Sequence, residues 1–441
     1  MIIRNAMLQQ GLCDIQVADG LIKEIAPVRT LPSADEDYDA EARIVIPGMI
    51  DPHVHMRCPG MENKEDWVSG SWAALAGGVT TVFDMPNSLP ATENLEALEL
   101  KRLAAAKADE AAASGGYAVP GRMYWAGCSP ETVQLLPELL CEADVAGLKL
   151  FFSETSSNSS STDINFISRA FAAAAEAGKP VAVHSELGAL LNGGSECSSY
   201  LESAPLIQHN SRRPAGAAVA GTALALELAA VAGCRLYVCH ISTMAEFAMI
   251  RKHKEAYGAD SVYAELTPHH LLLDENHIVK GGFDSWAKVN PPLRSIADRE
   301  AAAEALLDGT VDVIGSDHAP HLLTDKTMDT RDFHECPSGF PGLETELGFI
   351  AGFLKAEVPG NESEWIGRLC RLTSSRAAEI FGLSGLGEIK AGNRADLTIL
   401  NGPQRVDSDG FMTKAKYSPF NGMKSDISVY KTIVGGKIIG Q

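Results

Sequence analysis

Residues 44–60 read IVIPGMIDPHVHMRCPG. An apolar run passes directly into two histidines around a valine, and an arginine follows two places later. In an extended segment, residues two apart face the same side, so His53, His55 and Arg57 share one face. Two adjacent imidazoles suit a metal ion, whereas a guanidinium nearby suits an anion.

The pattern recurs from Asp51 to Ala319. Short β-rich runs (GMIDPHVH, VTTVFDMP, RMYWAG, AGLKLFF, PVAVHSE, RLYVCHIS, SVYAELTPHH and VDVIGSDH) alternate with Ala/Leu/Glu-rich stretches such as ENLEALELKRLAAAKADEAAA. Apolar runs between helices predict a parallel sheet covered on both faces, and eight of them predict a (β/α)8 barrel. An open doubly wound sheet is the alternative, disfavoured because no Gly-rich phosphate turn follows the first run. The chain ends differ: residues 1–47 and 387–441 alternate apolar and polar positions between Gly-containing turns. Both ends read as antiparallel strands that pair into one small β domain beside a catalytic barrel over 48–386. The Ser-rich stretch SETSSNSSSTD, 153–163, reads as a mobile loop over the barrel's catalytic face.

The 441 residues, 45% hydrophobic and 21% charged, describe a folded soluble protein. A formal net charge of −20 argues against nucleic acid or an anionic membrane as partner. A small anionic substrate stays open, provided one pocket is locally positive. Nine scattered cysteines without a C-x-x-C pair fit a reducing cytosol. The N-terminal MIIRNAMLQQG lacks a signal peptide's pattern, and no apolar run is expected to reach the length of a membrane span. The expected location is cytoplasmic.

The ends of the eight runs gather the chemistry. His53 and His55 end the first, Lys149 lies in the fourth, His184 and His240 end the fifth and sixth, and Asp317 ends the eighth. In a (β/α)8 barrel these ends converge on one face, and imidazole with carboxylate suits zinc and its first-row neighbours. Lys149 is the misfit, because an ammonium repels a metal and pays for burial in GLKLFF. As a carbamate formed with carbon dioxide it would instead bridge two ions about 3.5–4 Å apart. Taken singly, each residue has a blander reading: His184 or His240 a half-buried histidine, Lys149 a snorkelling strand residue, Asp317 a helix N-cap. Their common placement outweighs those readings. His269 and His270 could line the pocket or only pack. His209, His253, His277 and His334 are given no role, and the cysteines, Cys58 and Cys239 included, are taken as fillers.

With these residues in view, the chain resembles the dihydroorotases of the cyclic amidohydrolase superfamily. The likeness is carried by H-x-H with R-x-PG, KEDWVSGSWAALAGGVTTVFDMPNSLPAT, GLKLFF, VAVHSE, VCHIS, AELTPHHLLL, VNPPLR, SDHAPH, SGFPGLET and GEIKAGNRADLTIL, nearly the whole chain. It implies a metal-dependent barrel with a β-sandwich built from both termini. It further implies that His53, His55 and Asp317 hold one metal and His184 and His240 a second, with carboxylated Lys149 bridging. Arg57 and Asn87 (DMPN) match positions that grip the substrate carboxylate, and Asn290 (VNPP) and His321 (DHAPH) match further substrate contacts. Hydantoinase and dihydropyrimidinase relatives lack an arginine at the Arg57 offset. Cys58 stands where many dihydroorotases have an acidic residue, and Lys149 places the chain in the lysine-containing subset.

The activity implied is the reversible closure of N-carbamoyl-L-aspartate to L-dihydroorotate in de novo pyrimidine biosynthesis. Metal-bound hydroxide attacks the ring amide, and Asp317 carries the proton to the leaving nitrogen. Two divalent ions, zinc the first choice, and a homodimer are part of the same expectation. Allantoinase or hydantoinase/dihydropyrimidinase activity is the enzymatic alternative. A non-catalytic assembly scaffold is a further one, and the filled ligand positions argue against it.

Overall fold

The computed structural model describes residues 1–33, 36–153, 163–191, 204–327, 333–358, 360 and 362–439. Residues 154–162, most of the Ser-rich stretch, lie outside them. Eight parallel strands form one sheet in chain order: β1 Met49–Val54, β2 Val79–Asp84, β3 Gly121–Ala126, β4 Val145–Phe151, β5 Val181–His184, β6 Leu236–Val238, β7 Val262–Leu266 and β8 Val313–Ile314. A parallel bridge between Val54 and His318, with the His55 N–H donating to His318 O at 2.8 Å, joins the last turn to the first strand. The chain is a nearly closed (β/α)8 barrel, as the run pattern predicts.

Alternation within the strands sets its layers. Val82, Tyr124, Val183 and Val238 pack outward beneath the helices, whereas their neighbours Phe83, Trp125, Ala182 and Tyr237 fill the interior. Phe381, on the helix Arg376–Phe381, stacks edge-on to Phe83 and Trp125 at 4.6 and 5.6 Å. The floor of the barrel is therefore aromatic, which leaves polar residues to the strand ends.

The helices begin where the sequence offers caps. Asp66 with Ser69, Thr243 with Glu246, and Ser295 with Asp298 form capping boxes at three barrel helices. Contrary to the expectation about apolar runs, residues 205–232 are long and apolar enough to cross a membrane by length and composition. Here the stretch is two helices, Pro205–Arg212 and Ala215–Ala232. Small residues such as Ala218, Gly221 and Ala225 let the second press on the barrel, where a Cβ at Gly221 would meet Ser185 O at 1.5 Å.

Both termini build the sandwich. Ile2–Leu8, Gly11–Ala18, Leu21–Pro27 and Asp37–Asp39 form one sheet, and Val45–Pro47, Leu397–Asn401, Ser428–Val434 and Lys437–Ile439 form the other. Ile3, Ile15 and Ile22 of the first meet Val45, Leu397 and Ile433 of the second in a single buried cluster.

Between the strands Leu397–Asn401 and Ser428–Val434 of that second sheet runs the segment 411–420, and Glu344 anchors its start. The Glu344 carboxylate accepts the Met412 and Thr413 N–H groups at 2.8 and 3.0 Å. Burial nevertheless raises its pKa from 4.5 to about 7, outweighing those bonds. A carboxyl whose folded pKa exceeds its unfolded value favours the folded state at low pH, so stability falls as pH rises from 4.5 through 7. Glu344→Gln should flatten that decline. In thermal melts the variant should exceed the parent by at most roughly 3 kcal/mol at pH 8, and by less than about 1 kcal/mol at pH 5. Equal slopes for both proteins would refute the assignment.

Candidate active site and metal centre

Two buried carboxylates steer the chain out of β1. Asp51 accepts the His53 N–H at 3.0 Å and the Ser316 hydroxyl at 2.5 Å, which ties β1 to the loop after β8. Asp84, paired with buried Lys101 at 2.8 Å, accepts the Met56 N–H at 2.8 Å. Arg57 follows at φ 57°, and His240 and Asp317 have φ 34° and 47°. Left-handed backbone costs residues with a Cβ on the order of 1 kcal/mol or more, and three such residues around one pocket mark a site where geometry outranks local stability.

His53 donates from Nδ1 to Glu265 Oε1 at 2.8 Å, which turns its Nε2 toward the pocket, 3.2 Å from Asp317 Oδ1. His55 Nε2 lies 3.2 Å from the same oxygen. Burial disfavours a charged His53, yet Glu265 and Asp317 hold its pKa well above the usual histidine value. His55 is pushed the other way, to about 3, by burial and then by Arg57 against the pull of Asp317. Burial would raise Asp317, but the His53, His55 and His240 imidazoles overcome it and keep the carboxylate ionised. A field that makes one imidazole cling to a proton also attracts a metal cation. The nitrogens and oxygen of His53, His55 and Asp317 lie within 4.8 Å of one another, a fit for one ion.

His53, Cys239 and Glu265 satisfy the same distance test. Glu265 is already spent, however. Its oxygens accept the Tyr237 hydroxyl and the His240 N–H, each at 2.7 Å, besides His53. We therefore read it as the group that orients the histidines, in the carboxylate–histidine–metal manner.

His184 repeats the device. Its Nε2 donates to Glu186 Oε2 at 3.0 Å, so Nδ1 faces His240 Nε2 at 3.1 Å. Glu186 is held in turn by Arg213 at 2.6 Å and Arg294 at 3.4 Å. Lys149 is buried beside this pair, with Nζ 2.9 Å from Cys239 Sγ. Cys239 is thus more than filler: it is the immediate neighbour of the lysine nitrogen. The donor set suits a second cation next to the first.

The opposite wall is cationic. Arg57 is 4% exposed, donates from Nε to Pro320 O at 3.1 Å, and lies with Nη2 3.2 Å from His321 Nε2. Among the described residues it has no carboxylate ion pair, and burial lowers its pKa. The cavity is lined by His53, His55, Arg57, Asn87, His184, His240, Asn290 and Asp317, together with Phe151, Val289, Ala319, Ser338 and Gly339. Lys149 and His321 stand one layer behind that surface.

Several residues depart from the sequence expectations. His209 has a clear contact: its Nε2 faces Val289 O at 3.0 Å and Asn290 Oδ1 at 2.9 Å. With two oxygens as partners that nitrogen carries the proton, so Asn290 Oδ1 is occupied and its amide NH2 is left for the cavity. Sequence gave no hint, because His209 lies on the helix Pro205–Arg212, far from any barrel strand end. His270 spans Thr267 Oγ1 at 2.7 Å and Pro291 O at 3.1 Å, bracing the same turn, and His269 packs on Phe340 at 4.9 Å. Neither lines the cavity. Asp317 begins no helix and faces the two imidazoles instead. Glu186 and Glu265 were also missed, although a glutamate inside the apolar run VYAEL has to be paired, which was signal enough.

Comparisons agree with this geometry. The pattern of the amidohydrolase family matches residues 44–439. A dihydroorotase of Bacillus cytotoxicus is 34% identical over 97% of this chain and 94% of its own length. A dihydroorotase of Methanosphaera stadtmanae is 32% identical over 100% and 96%. Among solved structures, the L-hydantoinase (dihydropyrimidinase) of Arthrobacter aurescens superposes with a TM-score of 0.88 at 26% identity, covering 100% of this chain and 96% of that one. Fold, site and kinship converge: the chain belongs to the amidohydrolase family and is a cyclic amidohydrolase enzyme.

Proposed function

We propose that this enzyme is a dihydroorotase, interconverting N-carbamoyl-L-aspartate and L-dihydroorotate. The observation that carries the reading is Arg57, a buried guanidinium that lines the cavity without a carboxylate partner among the described residues. A buried charge left unpaired is costly, and a substrate carboxylate supplies the missing partner in bidentate form. Hydantoin and allantoin offer no carboxylate on the ring.

In this reading His53, His55 and Asp317 would hold one divalent ion and His184 and His240 a second, with Lys149, as a carbamate, a further ligand; zinc is the first choice. Bound there, such ions supply Lewis acidity, polarising an amide carbonyl and acidifying water. Arg57 and Asn87 hold the carboxylate, and the Asn290 amide donates to a ring oxygen. Glu265 and Glu186 keep His53 and His184 turned toward the cavity. Asp317 takes a proton from the attacking water and returns it to the leaving ring nitrogen; ring closure runs the same transfer backwards.

The test is metal content per chain and turnover of dihydroorotate, allantoin and hydantoin on one purified sample. About two metals per chain with dihydroorotate preferred supports the proposal. Full metal occupancy with hydantoin preferred would replace it with the activity that the L-hydantoinase likeness favours, and with allantoin preferred, with allantoinase activity.

A further inference from the structure

One peptide group beside the site is gripped from both sides. The carbonyl of Pro320 accepts Arg57 Nε at 3.1 Å, and the N–H of the same peptide unit, on His321, donates to the Tyr417 hydroxyl at 3.1 Å. A peptide group is planar and stiff. The place of the hydroxyl therefore fixes the plane, and the plane fixes where the guanidinium can lie.

Tyr417 is suited to that task. It is fully buried and reaches the barrel from the segment 411–420, outside all eight barrel strands. Its hydroxyl donates to Gly339 O at 3.3 Å, so it also spans two loops of the cavity wall. Those loops are joined again by the Ala319 N–H donating to Phe340 O at 2.9 Å and by His321 Nε2 against Ser338 O at 3.1 Å. The ring is held by Trp286, centroids 5.8 Å apart, and by Lys326 Nζ at 5.7 Å from its centre. Burial raises the phenol's pKa, so the hydroxyl keeps the proton that it gives to Gly339. Arg57 needs such a brace: its backbone is left-handed and its side chain is long and flexible.

We infer that Tyr417 is a positioning residue for substrate recognition, aiming Arg57 at the substrate carboxylate through the Pro320–His321 peptide. The inference rests on the reading of this site as one for a carboxylated ring. A tyrosine that only packed the wall would serve Arg57 no more than any other residue of the pocket.

The experiment is a double-mutant cycle on the metal-loaded enzyme with dihydroorotate: Tyr417→Phe, Arg57→Met and the pair. Phenylalanine removes one oxygen and keeps the ring, and melting curves check the fold. Tyr417→Phe should lower kcat/KM about tenfold, mainly through KM, the scale of one buried hydrogen bond. On the Arg57→Met background the same change should cost less than about twofold, because nothing is left to aim. Independent, multiplying losses would overturn the inference, as would a crystal structure of Tyr417→Phe with Arg57 still on Pro320 O. Parent enzyme that turns over hydantoin but not dihydroorotate would overturn the functional reading and this inference together. Parent enzyme active on dihydroorotate with an additive cycle would overturn the role of Tyr417 alone.

Discussion

Asp317→Asn should lower dihydroorotate hydrolysis by about 10³-fold or more, the scale of a lost general acid–base, while the folded state persists. Asparagine has nearly the same shape, so the loop after β8 keeps its course. What disappears is a basic oxygen at the point where the His53 and His55 nitrogens both lie 3.2 Å away. An amide can neither take the proton of the attacking water nor return it to the ring nitrogen, so both directions of the reaction should fall together. Asp317 is also a proposed ligand, and metal content must be measured beside turnover. Loss of activity with metals retained isolates the proton transfer; loss of both isolates ligation. A variant that keeps its metals and more than about a tenth of the parental rate would remove Asp317 from the mechanism.

The barrel could be read from the sequence because parallel strands buried on both faces cannot alternate; they stand out as runs such as VTTVFD between helices. The ligand candidates could be read for a related reason, since they sit where an apolar run stops. His184 ends β5 directly, and His240 and Asp317 lie two and three residues beyond β6 and β8. The supporting layer was less legible. Glu265 sits inside a strand and is joined to His53 only by the fold, whereas Glu186, beyond another strand, faces a histidine two residues before it and is fixed there by Arg213 and Arg294 from later in the chain. His209 and Tyr417 come from a helix and from the C-terminal segment, so nothing in their local sequence points to Asn290 or Arg57. Val289, Ser338 and Gly339 line the cavity from loops, where no side-chain pattern marks them. Backbone strain was invisible too. Arg57, His240 and Asp317 all adopt φ above zero, a state imposed by tertiary contacts against the preference of each residue.

That strain and the unpaired charge meet in Arg57, and replacing it should move activity and stability in opposite directions. Arg57→Met should cut kcat/KM for dihydroorotate by about 10²–10⁴-fold, with most of the loss in KM. The range follows from the 3–5 kcal/mol usually lost when one partner of a buried ion pair is removed, here the partner of the bound substrate. Without ligand the expectation reverses. Burial works against the guanidinium's charge, and Asp317, Asp84 and Glu65, none of them in an ion pair with it among the described residues, offset that only in part and leave its pKa lowered. Methionine, of similar length and apolar, relieves that cost, so the ligand-free variant should melt above the parent. Added dihydroorotate or N-carbamoyl-L-aspartate should then raise the melting temperature of the parent far more than that of the variant, because stabilisation by a ligand grows with its affinity. A variant that is destabilised without ligand, or that still gains the parental increment with it, would show that Arg57 is satisfied within the fold. In that event the carboxylate would have to be bound elsewhere in the cavity.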